Sequence, residues 1–141
     1  MIKDVFITIK GIQGLDGESD TIEFATEGQM GIKDGEYYLS YNEGELLDSG
    51  DKVKTQLFIK SDGSAVLQRT GTLKSRMQIT VGERNVCYYS TPQCELVIGI
   101  FGEEVSCSLD ESGGNVVLKY TIDSNLQLVS KNEVNIIVRE V

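Results

Sequence analysis

The stretch from Val53 to Val81 limits what this chain can fold into more than any other. Val53, Thr55, Leu57 and Ile59 alternate with Lys52, Lys54, Gln56 and Lys60. After Ser61-Asp62-Gly63-Ser64 and a second apolar run, Leu73, Ser75, Met77, Ile79 and Val81 alternate with Lys74, Arg76, Gln78 and Thr80. A period of two sends successive side chains to opposite faces of a pleated strand, so each run has one dry face and one wet face. Asp62-Gly63 tolerates the positive φ of a tight reversal. The stretch predicts antiparallel β-structure and, by itself, no activity.

The pattern continues in both directions. Val5, Ile7 and Ile9 form a run with Phe6 on its polar side, and the loop 14–20 follows. Ile22 and Phe24 end near Gly28, Met30 and Ile32 close at Asp34-Gly35, and Tyr37, Leu39 and Tyr41 alternate with polar neighbours and Tyr38. The connection from Glu43 to Asp51 is long and acidic, and Leu46 and Leu47 give it one expected helical turn. Beyond the central stretch, Asn85–Ser90 runs to a turn at Pro92. Leu96, Ile98 and Ile100, opposed by Val97 and Phe101, read as a strand buried on both faces, with a turn at 102–104. Val105, Cys107 and Leu109 lead to a hairpin turn over 110–115 that contains Gly113-Gly114. Val116, Leu118, Tyr120 and Ile122 precede a turn at Asp123-Ser124-Asn125. Leu126 and Leu128 lead to a break at 130–132, and Val134, Ile136 and Val138 finish the chain.

Ten to twelve short runs, punctuated by Gly, Asp and Asn, are the signature of a sandwich or barrel. No segment sustains a 3.6-residue apolar period and no βαβ alternation occurs, which excludes dinucleotide and P-loop folds. A string of adjacent hairpins favours an up-and-down meander. With eight to ten strands it can close on itself and lose its edges. Thr26, Thr55, Ser75, Cys107 and Ser130 fall on otherwise dry faces, which a partly wet barrel interior tolerates better than a solid sandwich core. The expectation is one all-β antiparallel barrel domain over residues 1–141.

Charge and cysteine content narrow the function classes. With 22 acidic and 13 basic residues the net charge is −9, a surface that phosphate backbones repel, so nucleic acid is not an expected partner. The basic residues of the central runs, such as Lys54, Lys74 and Arg76, lie on wet faces and discourage edge pairing. No apolar run reaches membrane length, so no membrane partner is expected. Three cysteines, Cys87, Cys94 and Cys107, in apolar surroundings and without a secretory signal, read as free thiols of a reduced, cytoplasmic protein. Their spacing and the absence of histidine argue against zinc, and no cofactor or metal is expected.

Several stretches carry a further resemblance. They are Tyr38-Leu39-Ser40-Tyr41-Asn42-Glu43, Lys54-Thr55-Gln56-Leu57-Phe58-Ile59, Leu67-Gln68-Arg69-Thr70-Gly71, Met77-Gln78-Ile79, Tyr89-Ser90-Thr91-Pro92 and the run starting at Asn115. Their order and spacing, from Ile7 to Val138, resemble the YwiB-like family of small bacterial proteins. The resemblance implies a calycin-like (lipocalin-like) β-barrel and no established activity. Gln93-Cys94 departs from the family pattern, which has an aromatic and a glycine after Thr-Pro. Barrels of that class more often bind small ligands than catalyse, an inference by analogy of fold.

The chemistry available is sparse. Without histidine no Ser-His or Cys-His dyad exists. The adjacent acids Glu103-Glu104 and Asp110-Glu111 read as solvated loop charges, and Ser112-Gly113-Gly114 lacks the strand-to-helix context of a phosphate loop. The reading is a non-enzymatic protein. Parity places Tyr41 and Glu43 on one face and Leu67 and Arg69 on another. If both faces are interior, Arg69, Glu43 and Tyr41 converge at one barrel end. Arg69 then grips an anionic head group, with Tyr41, Tyr89 and Thr91 around it, or pairs with Glu43 as an internal plug. A third arrangement, with Arg69 in solvent, stays open because Val66 and Leu67 obscure the parity. The functions this admits are a barrel binding a small apolar or amphipathic ligand, and an interaction or assembly module whose barrel is filled by its own side chains. A homodimer is the other partner the pattern admits.

Overall fold

The computed structural model describes residues 2–15, 17–42, 53–72 and 74–141. Among them ten strands follow one another: β1 (Ile2–Leu15), β2 (Glu18–Lys33), β3 (Glu36–Asn42), β4 (Val53–Ile59), β5 (Ala65–Gly71), β6 (Lys74–Ile79), β7 (Arg84–Ser90), β8 (Glu95–Asp110), β9 (Gly113–Ser124) and β10 (Gln127–Glu140). Each pairs antiparallel with the next, and β10 pairs with β1, so the sheet closes into an up-and-down barrel. Closure satisfies the backbone groups that edge strands would leave open.

The alternation of the central stretch becomes the wall of the tube. In β4, Val53, Thr55, Leu57 and Ile59 are buried while Lys54 is exposed, and in β6 Ser75, Met77 and Ile79 are buried between exposed Lys74, Arg76 and Gln78. Gly63 adopts φ 89°, and the amide of Lys60 donates to the carbonyl of Ser64, which closes the β4–β5 hairpin. The core gathers inward-facing side chains from around the barrel, including Val5, Ile7, Met30, Leu39, Leu57, Leu67, Met77, Ile79, Ile100, Leu118 and Ile136.

Several expected breaks are not breaks. Ile22-Phe24 and Met30-Ile32 belong to one strand that runs through Gly28, and residues 102–104 hold a register shift inside β8 instead of a turn. The break at 130–132 is likewise absent, because β10 absorbs a shift between Leu128 and Ser130. A bulge bends a strand without ending it, so polar residues and glycine at a bulge read like a turn in the sequence. The β8–β9 turn does fall within 110–115, at Glu111-Ser112, but Gly113 and Gly114 already stand in β9. A Cβ on Gly114 would lie 1.8 Å from the carbonyl oxygen of Ser108, so the glycines serve close strand approach. β8 is not buried on both faces: Val97 and Phe101 lie on the outside and Leu96 stays open on the inside. Of the three free cysteines only Cys87 is buried; Cys94 and Cys107 are exposed. Val81 leaves the dry face and makes a parallel bridge to Gly102.

The register fixes which connections share an end. At one end lie the turns β2–β3, β4–β5, β6–β7 and β8–β9, together with the start of β1 and the end of β10. Lys3 fastens that end: its Nζ donates to Glu140 Oε1 at 2.6 Å and to the backbone carbonyl of Glu111. At the other end lie the β1–β2 tip, the ends of β3 and β4, and the turns β5–β6, β7–β8 and β9–β10. There β1 and β2 continue as a paired ribbon out to Leu15 and Glu18.

Candidate functional site

Polar inward-facing residues concentrate at this second end. Residues directly opposite in an antiparallel ladder point to the same face. The pairs Gly28–Tyr41, Tyr41–Thr55, Thr55–Arg69, Arg69–Ser75 and Ser75–Tyr89 therefore build one continuous row across β2 to β7. Thr55 and Ser75 are 0% and 6% exposed, which places the whole row on the inner wall. The parity of Arg69 follows: it faces inward with Leu67 and Ala65, half-buried. Gly28 makes room at the head of the row, since a Cβ there would come within 2.7 Å of Ile7 Cδ1 and 3.2 Å of Tyr41 Cβ.

The hydroxyls beside Arg69 are unusual. Thr55 Oγ1 and Ser75 Oγ are buried and find no hydrogen-bond partner among the described residues. A buried hydroxyl without a partner costs about 1–3 kcal/mol, so a chain carrying two of them in one row holds them there against stability. The neighbouring Cys87 thiol is buried too. Burial pushes its pKa up, and a backbone hydrogen bond at Arg76 and then the charge of Arg69 offset only part of that. Phe24 packs on Tyr41 with ring centroids 6.2 Å apart.

The inner wall beyond the row, towards the same end, is apolar and incompletely covered. Phe24, Ile98, Ile122 and Val134 are half-buried, and Leu96 and Ile22 are 49% and 60% exposed although they face inward. A cavity of about 150 Å³ opens there with a mixed lining, Gly11, Ile22, Tyr120 and Val134 beside Gln13, Asp20, Asn132 and Glu133. A Cβ on Gly11 would meet nothing within 4 Å.

The structure thus sets three of the residues singled out from the sequence, Tyr41, Arg69 and Tyr89, in one row, each tyrosine two strands away from Arg69. Glu43 lies outside the described residues, as do Leu46 and Leu47. Thr91 is in the β7–β8 turn, where its Oγ1 accepts from the amides of Gln93 and Cys94 and lies 3.2 Å from the carbonyl of Cys94; it shapes the turn beneath Gln93-Cys94. Thr55 and Ser75 are the members whose place in the row the sequence did not reveal. Their signal was present, as hydroxyls on otherwise dry faces, but the register that sets them beside Arg69 cannot be read from one strand. Tyr38 and Tyr88 are outside the lumen. Tyr38 packs on the outer wall over Gly31, 6.2 Å from the Phe58 ring, and Tyr88 is 75% exposed. Among the described residues no group of three or more Cys, Asp or Glu side chains could hold a metal ion, and no helix is long and apolar enough to cross a membrane.

A closed ten-stranded antiparallel barrel with a polar row inside one end is the class these features define. The chain belongs to the family described as a domain of unknown function, DUF1934, whose profile matches residues 7–136. It is 29% identical over 116 residues to the uncharacterised β-barrel protein YwiB of Bacillus subtilis (strain 168), covering 82% of this chain and 79% of that one. The crystal structure of the ywiB protein from Bacillus subtilis superposes with a TM-score of 0.87 at 25% identity, over 99% of this chain and 93% of the other.

Proposed function

We propose that this protein is a non-catalytic, cytoplasmic binding barrel, calycin-like in use as well as in shape, that takes a small amphipathic molecule at its open end with the polar part towards Arg69. The observation that carries this reading is the row Tyr41–Thr55–Arg69–Ser75–Tyr89, with two buried hydroxyls that no described residue satisfies. A guanidinium has five donors, more than one intramolecular partner takes up, and tyrosine offers a greasy wall with a polar tip. Free thiols and the absence of histidine fit a reduced compartment and no acid–base chemistry.

A second reading has its own support. Val86, Tyr88 and Val97 stand next to one another on the outer wall of β7 and β8 and are each more than half exposed, and the other end of the barrel is filled by its own side chains. These features suit an interaction or assembly module, including a homodimer. Native mass spectrometry of the protein purified from its own cells, with a denatured extract alongside, separates the two. A reproducible small-molecule adduct supports binding. Adduct-free protein in a dimer or hetero-complex contradicts it and supports the second reading.

A further inference from the structure

We infer that the open edge of β2 over residues 18–27 is a docking edge for an extended polypeptide segment in which basic and apolar residues alternate. This edge is separate from the polar row and from the outer patch of β7 and β8. β2 pairs with β1 without a bulge over residues 18–31, but with β3 only over residues 28–33. Among the described residues, 18–27 therefore have a ladder on one side and none on the other. In an antiparallel pair, alternate residues aim both backbone groups to the same side, so half of this stretch points N–H and C=O away from β1. The other interruptions among the described residues are shorter. Residues 76–79 of β6 have no ladder to β7, where Asn85 Nδ2 donates across to the carbonyl of Gln78, and residues 95–98 of β8 pair only with β7.

Charge decides what this edge accepts. Sheets commonly guard an exposed edge with proline, a bulge or charged side chains. Residues 18–27 have neither proline nor bulge and carry four acids, Glu18, Asp20, Glu23 and Glu27, with no basic residue. These acids exclude a second copy of the chain. Pairing the whole stretch with itself antiparallel sets Glu18 opposite Glu27 at both ends, like charges in direct cross-strand contact. The same acids attract a strand that brings lysine or arginine to the facing positions.

The two faces of β2 assign each type of residue its place. Register with β1 sets Glu23 and Glu27 opposite Lys10 and Phe6 on the outer wall, and Ile22 and Phe24 opposite Gly11 and Ile9 on the inner one. A strand added to β2 continues this alternation. Its outward residues stand beside Glu23 and Glu27. Its inward residues cover Ile22, which is 60% exposed, and the half-buried Phe24, and remove them from water. In this mode of recognition main-chain hydrogen bonds give affinity, and alternate side chains give selection.

Calorimetric titration of the intact protein with two acetylated, amidated decapeptides, one alternating lysine with valine and one alternating glutamate with valine, tests this, with backbone amide exchange followed by NMR. The lysine peptide is expected to bind at least tenfold more tightly than the glutamate peptide and to weaken as salt is raised. It should slow exchange at alternate amides of residues 18–27. Glu23→Gln/Glu27→Gln should lose about fivefold in affinity for the lysine peptide with its melting temperature unchanged. Equal affinity for both peptides, protection centred outside residues 18–27, a double variant that binds as the parent does, or no binding of the lysine peptide overturns the docking edge. Each of these outcomes leaves the small-molecule reading where native mass spectrometry puts it.

Discussion

The two ends of this barrel are built from the same alternating strands and differ in what fills them. At the end closed by Lys3 and Glu140, inward positions are Val5, Met30, Leu39, Leu57, Leu67 and Ile79, all essentially inaccessible. At the end where β1 and β2 extend, the next inward positions on the same strands are Tyr41, Thr55 and Arg69, and Ile22 and Leu96 face a lumen they do not seal. One end is a core. The other keeps two buried hydroxyls, those of Thr55 and Ser75, where hydrophobic packing would serve folding better. A barrel evolved only for stability has no reason for that asymmetry.

The largest expected difference is in stability. Leu57→Ala removes a fully buried side chain from the closed end and should cost about 2–5 kcal/mol in urea unfolding. Leu96→Ala at the open end should cost about 0.5 kcal/mol, as for an uncovered site. Similar losses at both sites would show the open end to be packed. Thr55→Val, volume-conserving and relieving an unpartnered hydroxyl, should stabilise the ligand-free protein by about 1 kcal/mol. A loss of that size would mean that the hydroxyl is bonded in solution.

A smaller effect concerns the β9–β10 turn at the open end. Asn125 and Leu126 have φ of 52° and 69°, which suits a two-residue hairpin but strains a leucine. Leu126→Gly should raise stability by about 1 kcal/mol, and an unchanged midpoint would deny the strain. The same turn is tied by Asp123, whose carboxylate takes hydrogen bonds from Arg84 Nη2 at 2.6 Å, Arg84 Nε at 2.9 Å and the Leu126 amide at 3.1 Å. The guanidinium crosses Gly99, where a Cβ would come within 2.4 Å of it.

The Arg84 hydrogen bond, foremost, holds the Asp123 pKa below the ordinary carboxylate value, and the Ser112 and Ser64 hydroxyls do the same for Asp110 and Asp62. A carboxyl group with a lowered folded pKa contributes stability above the unfolded value of about 3.9, and that contribution fades as pH falls through the folded value. The urea midpoint should therefore hold from pH 7 to 5 and decline below about pH 4. Asp123→Asn should flatten part of the decline, and an equally steep variant would contradict the assignment.

How much of this was legible beforehand depended on whether a feature was local. Alternation along β4 and β6 is a property of single strands, and it gave the faces correctly, Ser75 and Thr55 included. The inward parity of Arg69 was hidden, because Val66 and Leu67 are both buried, one against the outer aromatic row and one in the core. Only pairing with Thr55 and Ser75 resolves it. The shifts at Gly102/Glu104 and Leu128/Ser130 were hidden for a related reason: a bulge interrupts the pattern as a turn does, and only the partner strand shows that pairing continues. Cys107 and Val97 lie in apolar runs yet are exposed, since the long strands β8 to β10 carry apolar residues on positions the barrel does not cover.

The difference between the ends is tested most directly by following backbone and methyl resonances during titration with decanoate. Shifts confined to Tyr41, Thr55, Arg69, Ser75, Tyr89 and the inward apolar residues above them, with Met30, Leu57 and Ile79 unmoved, are the predicted result. Shifts centred on Val86, Tyr88 and Val97 of the outer wall, or no shifts up to saturation of the probe, would contradict it.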